Sequence, residues 1–129
     1  MAEPGQGFYP YQAAIDGYGN GGFRFAGMSH RGSLLCLPTG MHKWEVASAA
    51  QITFESLQPV FDAAEQIDVL LVGLGKEIAG FPKPIRQALR ERNIIVEAIA
   101  TGGAVRTYNI LLGESRAVGA ALIAVDSVK

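Results

Sequence analysis

The chain carries a single cysteine, Cys36, so no disulfide can form within it and a reducing compartment is expected. It carries little charge: 11 basic residues against 12 acidic ones, a net of −1, with 18% of positions charged. Nothing in that balance supplies the basic surplus that binding to nucleic-acid phosphates requires, so no nucleic-acid partner is expected. Long apolar runs are missing too. The longest, Ala117 to Val125, is far short of the ~20 residues needed to cross a bilayer, and no membrane insertion is expected. The first residues, Met1-Ala2-Glu3-Pro4-Gly5, show neither a basic region nor an apolar one, which argues against a secretory leader and for a cytoplasmic location. Histidine is scarce as well. His30, His42 and Cys36 have no paired ligand spacing, so neither a metal nor a cofactor is expected. No phosphate-cradling Walker loop, nucleophile elbow or metalloprotease helix is present.

What the chain does have is apolar mass. Its 129 residues suit one domain, and 49% of them are hydrophobic, which excludes a disordered polypeptide. A mean hydropathy of +0.20 is high for a lone small domain. Either the core is large, or a partner covers an apolar patch. Residues 1–10 are rich in Gly and Pro without periodicity and read as a mobile tail; residues 11–129 read as one α/β domain.

Residues 12–46 read as short antiparallel strands joined by glycine-marked turns, as in Phe23-Arg24-Phe25 and Ser33-Leu34-Leu35-Cys36-Leu37. The pattern then changes period. Thr53 is a candidate helix cap, and Leu57, Val60, Phe61 and Ala64 form a helical stripe that Pro59 interrupts, predicting a short turn and a helix restarting at Pro59. Val69-Leu70-Leu71-Val72 suits a central strand buried on both faces. A helix is predicted from about Pro84 to Asn93, a strand over 94–99, a third helix near 103–112 and a closing strand over 117–125. The resulting expectation is a three-layer α/β architecture: a mixed central sheet flanked by helices, with an antiparallel hairpin N-terminal half.

Two glycine-bearing turns are the candidate site. Gly73-Leu74-Gly75 follows a strand, as in dinucleotide fingerprints. However, Ile78 stands where a third small residue belongs, and Phe81-Pro82-Lys83-Pro84 delays the helix, so no site of that type is expected. Thr101-Gly102-Gly103 opens a helix, where free N–H groups favour an anion, and Arg106 can add a charge. The candidate anion-binding residues are therefore Gly73, Gly75, Thr101, Gly102, Gly103 and Arg106. Ordinary capping by Thr101 or Gly102 explains the same residues. Tyr108 is expected in the core with its hydroxyl partnered, and Asn109 is expected to reach Thr39, Gly40 or the 73–75 loop and brace the site. Cys36, between two leucines, reads as an inert buried thiol, and no catalytic residue emerges. Charge is uneven: residues 45–68 hold five acids and no base, whereas 76–92 hold five bases and two acids. Solvated faces are the ordinary reading of such runs.

Val69 to Gly75, Arg86 to Asn93, Thr101-Gly102-Gly103-Ala104-Val105-Arg106-Thr107-Tyr108-Asn109 and Glu114 to Val118 together resemble a small domain-of-unknown-function family. That family includes the mitochondrial respiratory complex I assembly factor three. Ile15, Gly27, Gly32-Ser33-Leu34, Pro38-Thr39-Gly40 and Trp44 match it as well. The chain departs from the family at Gly73-Leu74-Gly75, where Gly-Thr-Gly is frequent, and at Gly103 to Val105, where two alanines and a cysteine are common. The resemblance implies a three-layer α/β fold, no established enzymatic activity and, from the family's eukaryotic members, a role in assembling a membrane-bound respiratory complex; the lack of a mitochondrial presequence leads us to expect a bacterial source. The leading expectation is therefore a non-enzymatic interaction protein with an exposed apolar patch near the N-terminal hairpins or Trp44, associating with itself or with an assembly partner. The alternative is a binder of, or enzyme acting on, a small anionic ligand at the Gly73–Gly75 and Thr101–Arg106 crevice.

Overall fold

The computed structural model describes residues 8–76 and 80–126. Among the described residues nine strands run in chain order: β1 (Phe8–Tyr9), β2 (Gly17–Gly19), β3 (Gly22–Phe25), β4 (Met28–Arg31), β5 (Ser33–Leu37), β6 (Gly40–Trp44), β7 (Val69–Gly73), β8 (Ile95–Ile99) and β9 (Val118–Leu122). Three α-helices accompany them: α1 (Gln58–Asp62), α2 (Lys83–Glu91) and α3 (Thr101–Gly113). The central sheet has the order β1-β6-β5-β9-β7-β8, and β2-β3-β4 form a separate antiparallel sheet. β9 lies parallel to β7 and antiparallel to β5, so one strand joins the hairpin half to the β7-α2-β8 unit. Its direction was open in the sequence, because a short link after a helix permits either.

The mixed sheet separates two apolar layers. On one face Trp44, Leu57, Val60, Ile85 and Leu89 pack with Leu70 and Val72. On the other, Phe23, Phe25, Ala104 and Tyr108 pack with Leu71 and Leu122, which places α3 and the small sheet together. Leu70, Leu71 and Val72 are all fully buried, as an apolar run covered on both sides requires. The helix interrupted by proline forms as predicted. A 3-10 turn at Glu55–Leu57 precedes α1, which carries Pro59 in its first turn, where the missing N–H costs nothing. Thr53 caps this turn: its hydroxyl accepts the Ser56 N–H at 3.0 Å while the Ser56 hydroxyl oxygen accepts the Thr53 N–H at 2.9 Å. Asn93 ends α2 in the left-handed conformation, φ 66°.

Two readings fall partly or wholly outside the described residues, and one expectation needs correction. Of the segment read as a tail, Phe8–Tyr9 pair with His42 and Met41 as an edge strand, and residues 1–7 lie outside the described residues. Ile78, the departure from the dinucleotide pattern, also lies outside them. Trp44 and the N-terminal hairpins do not form an exposed apolar patch. Trp44 is only 4% exposed and donates its ring N–H to the Ser56 carbonyl at 2.8 Å, while Phe23 and Phe25 face the core. Among the described residues, the large exposed apolar ones are Tyr11, Phe54, Ile95 and Ile110.

Candidate functional site

The bend after β7 and the start of α3 meet at Thr101. Its N–H donates to the Gly75 carbonyl at 2.9 Å, its Oγ1 accepts the Gly75 N–H at 3.0 Å, and its hydroxyl donates to the Ile123 carbonyl at 2.7 Å. Leu74 N–H donates to Ile99 O and Ile123 N–H to Gly73 O, so the ends of β7, β8 and β9 are laced together around one buried side chain. Thr101 does not cap the helix as expected. Ala100 occupies the N-cap position without a side-chain hydrogen bond, and the Thr101 hydroxyl turns inward because two main-chain groups already claim it. Gly73 follows from the same packing. A Cβ there would stand 2.9 Å from both Thr101 Cα and Oγ1, so only glycine lets the strand and helix start approach so closely.

The outer part of the crevice is open. Gly75, Gly102, Gly103 and Arg106 line a cleft of about 280 Å³ with Tyr18 and Lys76. Four of the six candidate anion residues thus share a surface, while Gly73 and Thr101 lie beneath it. The first-turn amides of α3 have no intrahelical acceptor, which makes this end of the helix positive. Gly102 sits under the Tyr18 hydroxyl, and a Cβ there would meet it at 2.5 Å. Tyr18 was not among the residues singled out from sequence. Its flanking glycines, Gly17 and Gly19, were the available signal.

The supporting residues go elsewhere. Thr39 and Gly40 turn beyond Leu37, at the opposite end of β5 from the Leu34–Leu122 pair that adjoins Gly73. Thr39 Oγ1 hydrogen-bonds His42 Nε2 at 2.9 Å instead. Asn109 reaches neither these residues nor the 73–75 loop. Its Nδ2 donates to the Ile15 carbonyl and its Oδ1 accepts the Ile15 N–H, both at 2.8 Å. Tyr108, fully buried, donates its hydroxyl to the Ala13 carbonyl at 2.8 Å. Gln12 Nε2 adds a bond to the Val118 carbonyl at 2.7 Å. The Tyr108-Asn109 pair therefore clamps an extended N-terminal strap, residues 12–15, over the α3 face of the core.

No activated nucleophile arises from the single thiol. Burial pushes the Cys36 thiol far above its ordinary range, outweighing the Tyr108 hydroxyl beside it, and burial raises the Tyr108 phenol as well. His30 hydrogen-bonds the Ser33 carbonyl at 2.9 Å, and burial lowers the His42 imidazole. Among the described residues, no group of three or more His, Cys, Asp or Glu side chains is placed to hold a metal ion. Among the same residues, no helix is long and apolar enough to cross a membrane.

Residues 15–123 match the model of a family described as a protein of unknown function (DUF498/DUF598). The chain belongs to this family. An uncharacterised Rhodobacter capsulatus member is 41% identical over 109 residues, covering 84% of this chain and 82% of the relative. The mouse NADH dehydrogenase [ubiquinone] 1 alpha subcomplex assembly factor 3 is 35% identical over 118 residues, covering 92% of this chain and 64% of the relative. The human assembly factor is 35% identical over 109 residues, covering 84% and 59%. This chain thus spans about three fifths of those assembly factors' own length. Among solved structures, a Bartonella henselae protein described as an outer membrane protein superposes with a TM-score of 0.88 at 47% identity, covering 92% of this chain and 99% of that one. A Rhodopseudomonas palustris protein gives 0.81 at 52% identity, with 97% and 93% covered. A Bordetella pertussis protein described as a Mth938-like domain gives 0.78 at 26% identity, with 99% and 94% covered. The family's architecture is the mixed α/β fold described above.

Proposed function

We propose that this protein is a non-enzymatic interaction factor that assists the assembly of a membrane-bound respiratory complex of the NADH dehydrogenase type, working from the cytoplasm without inserting into the membrane. The observation that carries the reading is the 35% identity to the mouse assembly factor across 92% of this chain. The interior chemistry supports the non-enzymatic part of the reading: the hydroxyls of Thr101 and Tyr108 and the amide of Asn109 are spent on holding the fold, and the Cys36 thiol is buried. The test is affinity purification of the protein at endogenous level from its native cells, paired with its deletion. Repeated recovery of the same respiratory subunits, with a deficit of assembled NADH dehydrogenase in the deletion strain, is the expected result. A strain with normal complex levels and no enriched subunits refutes it.

A second reading rests on the cleft that Gly102, Gly103 and Arg106 share: a small anionic ligand bound at the α3 start. It predicts thermal stabilisation by a phosphate, nucleotide or carboxylate that Arg106→Ala abolishes. A flat screen across these compounds removes it.

A further inference from the structure

We propose that the outer face of the β2-β3-β4 sheet is a docking surface for an extended acidic segment of a partner polypeptide with carboxylates at alternate positions. Arg24 and Arg31 project from the same, solvent-facing side of this sheet. Arg24 is paired with Ser29 and Arg31 with Gly22, which makes the two arginines diagonal neighbours. Such neighbours stand ~7–8 Å apart. Carboxylates at positions i and i+2 of an extended chain repeat every ~6.6 Å on one face, a close match.

Glycine stands directly across the strand ladder from each arginine, Gly17 from Arg24 and Gly22 from Arg31, with Ser29 beside them. Gly17, Gly19 and Gly22 contribute to a cavity of about 530 Å³ beside Arg24 and Arg31. Gly17 lies directly across from Arg24, whose Cδ would be 4.0 Å from a Cβ built there, so the arginine stem lies over an open floor. Tyr18, paired with Phe23, turns its ring to the inner side of the sheet toward Gly102, so the cleft that holds Arg106 lies apart from this face. Among the described residues, Arg24, Arg31 and Arg106 hold no ion pair; the salt bridge present is Lys43–Glu45, elsewhere on the surface. Among the described residues, no acidic side chain lines the hollow beside Arg24 and Arg31. Neighbouring like charges across a sheet repel, and an acidic guest removes that penalty while forming charge-assisted, bidentate pairs with the guanidiniums. A polypeptide suits the concave, glycine-floored shape, since its main chain can approach closely where no side chain intervenes.

The inference rests on the assembly reading only in taking the guest to be a protein. The probe is a fluorescent synthetic peptide with glutamate at alternate positions and threonine between, titrated into the full chain by anisotropy. Saturable binding is expected that weakens with added salt and is lost when glutamine replaces glutamate. Arg24→Glu with Arg31→Glu should weaken it by ~tenfold or more. Arg90→Glu, an exposed reversal on another face, should leave it unchanged. Circular dichroism establishes that each variant is folded. The proposal is overturned by absent binding, by equal binding of the glutamine peptide, or by equal loss in Arg90→Glu. Competition by inorganic phosphate, or preference for phosphatidylglycerol vesicles over the peptide, overturns it in favour of those anions. Respiratory subunits recovered equally by wild type and by the Arg24/Arg31 variant sink this surface alone; peptide binding without such subunits sinks the assembly reading alone.

Discussion

Replacing Thr101 by valine keeps the side chain's shape and deletes only its hydroxyl, which isolates the network that joins three strand ends. Two main-chain groups lose their partner. The Ile123 carbonyl belongs to a residue only 2% exposed, so water cannot replace the 2.7 Å bond. The Gly75 N–H is half-buried and recovers part of its loss. A buried polar group left unsatisfied costs ~1–3 kcal/mol, which puts Thr101→Val at roughly 2–3 kcal/mol less stable. For a chain of this size that corresponds to a melting temperature lower by roughly 6–12 °C. Thr101→Ser retains the hydroxyl and deletes one methyl, a loss of ~1 kcal/mol. Thermal and urea unfolding of both variants therefore gives a ranked outcome, wild type above serine above valine. If valine matches wild type, or serine falls below valine, the hydroxyl does not hold the strand ends. A valine variant of normal stability that has lost anion binding would instead return Thr101 to the ligand-binding role its place at a helix start suggests.

Asn109→Ala removes both hydrogen bonds to Ile15 and should destabilise the strap by ~1–2 kcal/mol, seen as faster amide exchange at Ile15 and new protease cleavage within residues 10–17; unchanged exchange at Ile15 refutes the clamp. Cys36 is fully buried with its thiol pushed up by burial, so Ellman's reagent should label it only as the chain unfolds in denaturant, and rapid labelling of native protein contradicts its placement. His42 is held below the ordinary imidazole value by burial, so as pH falls the unfolded chain takes up this proton first. Its contribution to stability is present above the unfolded value of about 6.5 and is lost on acidification below it. His42→Gln should flatten the fall in melting temperature through that range; an unchanged slope refutes the assignment.

The parts of the fold legible in the sequence are those in which one local rule acts alone. An apolar run covered on both faces announced β7, Pro59 marked where α1 starts, and Asn93 supplied the left-handed residue that ends α2. The partner of Asn109 was not legible. Ile15 lies 94 positions away, and a strap held by side chains rather than by a strand ladder leaves no periodic trace. Trp44 was ambiguous for a related reason. A lone tryptophan suits an interface or a core equally, and the Ser56 carbonyl that receives its N–H is placed by a turn rather than by a repeat.

The same distinction bears on where function lies. The most specific run in the chain, Thr101 to Asn109, turns most of its polar atoms inward: Thr101 binds strand ends, Tyr108 and Asn109 bind the strap, and Gly103 packs on Ile99. Residues engaged in that way specify the fold and are poor candidates for recognising anything outside it. Arg106 is the exception in the run, exposed and without an ion pair among the described residues. Arg24 and Arg31 share that condition, and only the hairpin register brings them side by side, since they are seven positions apart in the chain. A recognition surface made from such groups is invisible to motif reading, because its spacing is set by strand pairing rather than by sequence. It also requires no reactive side chain, which is what an assembly factor acting through contact alone would need.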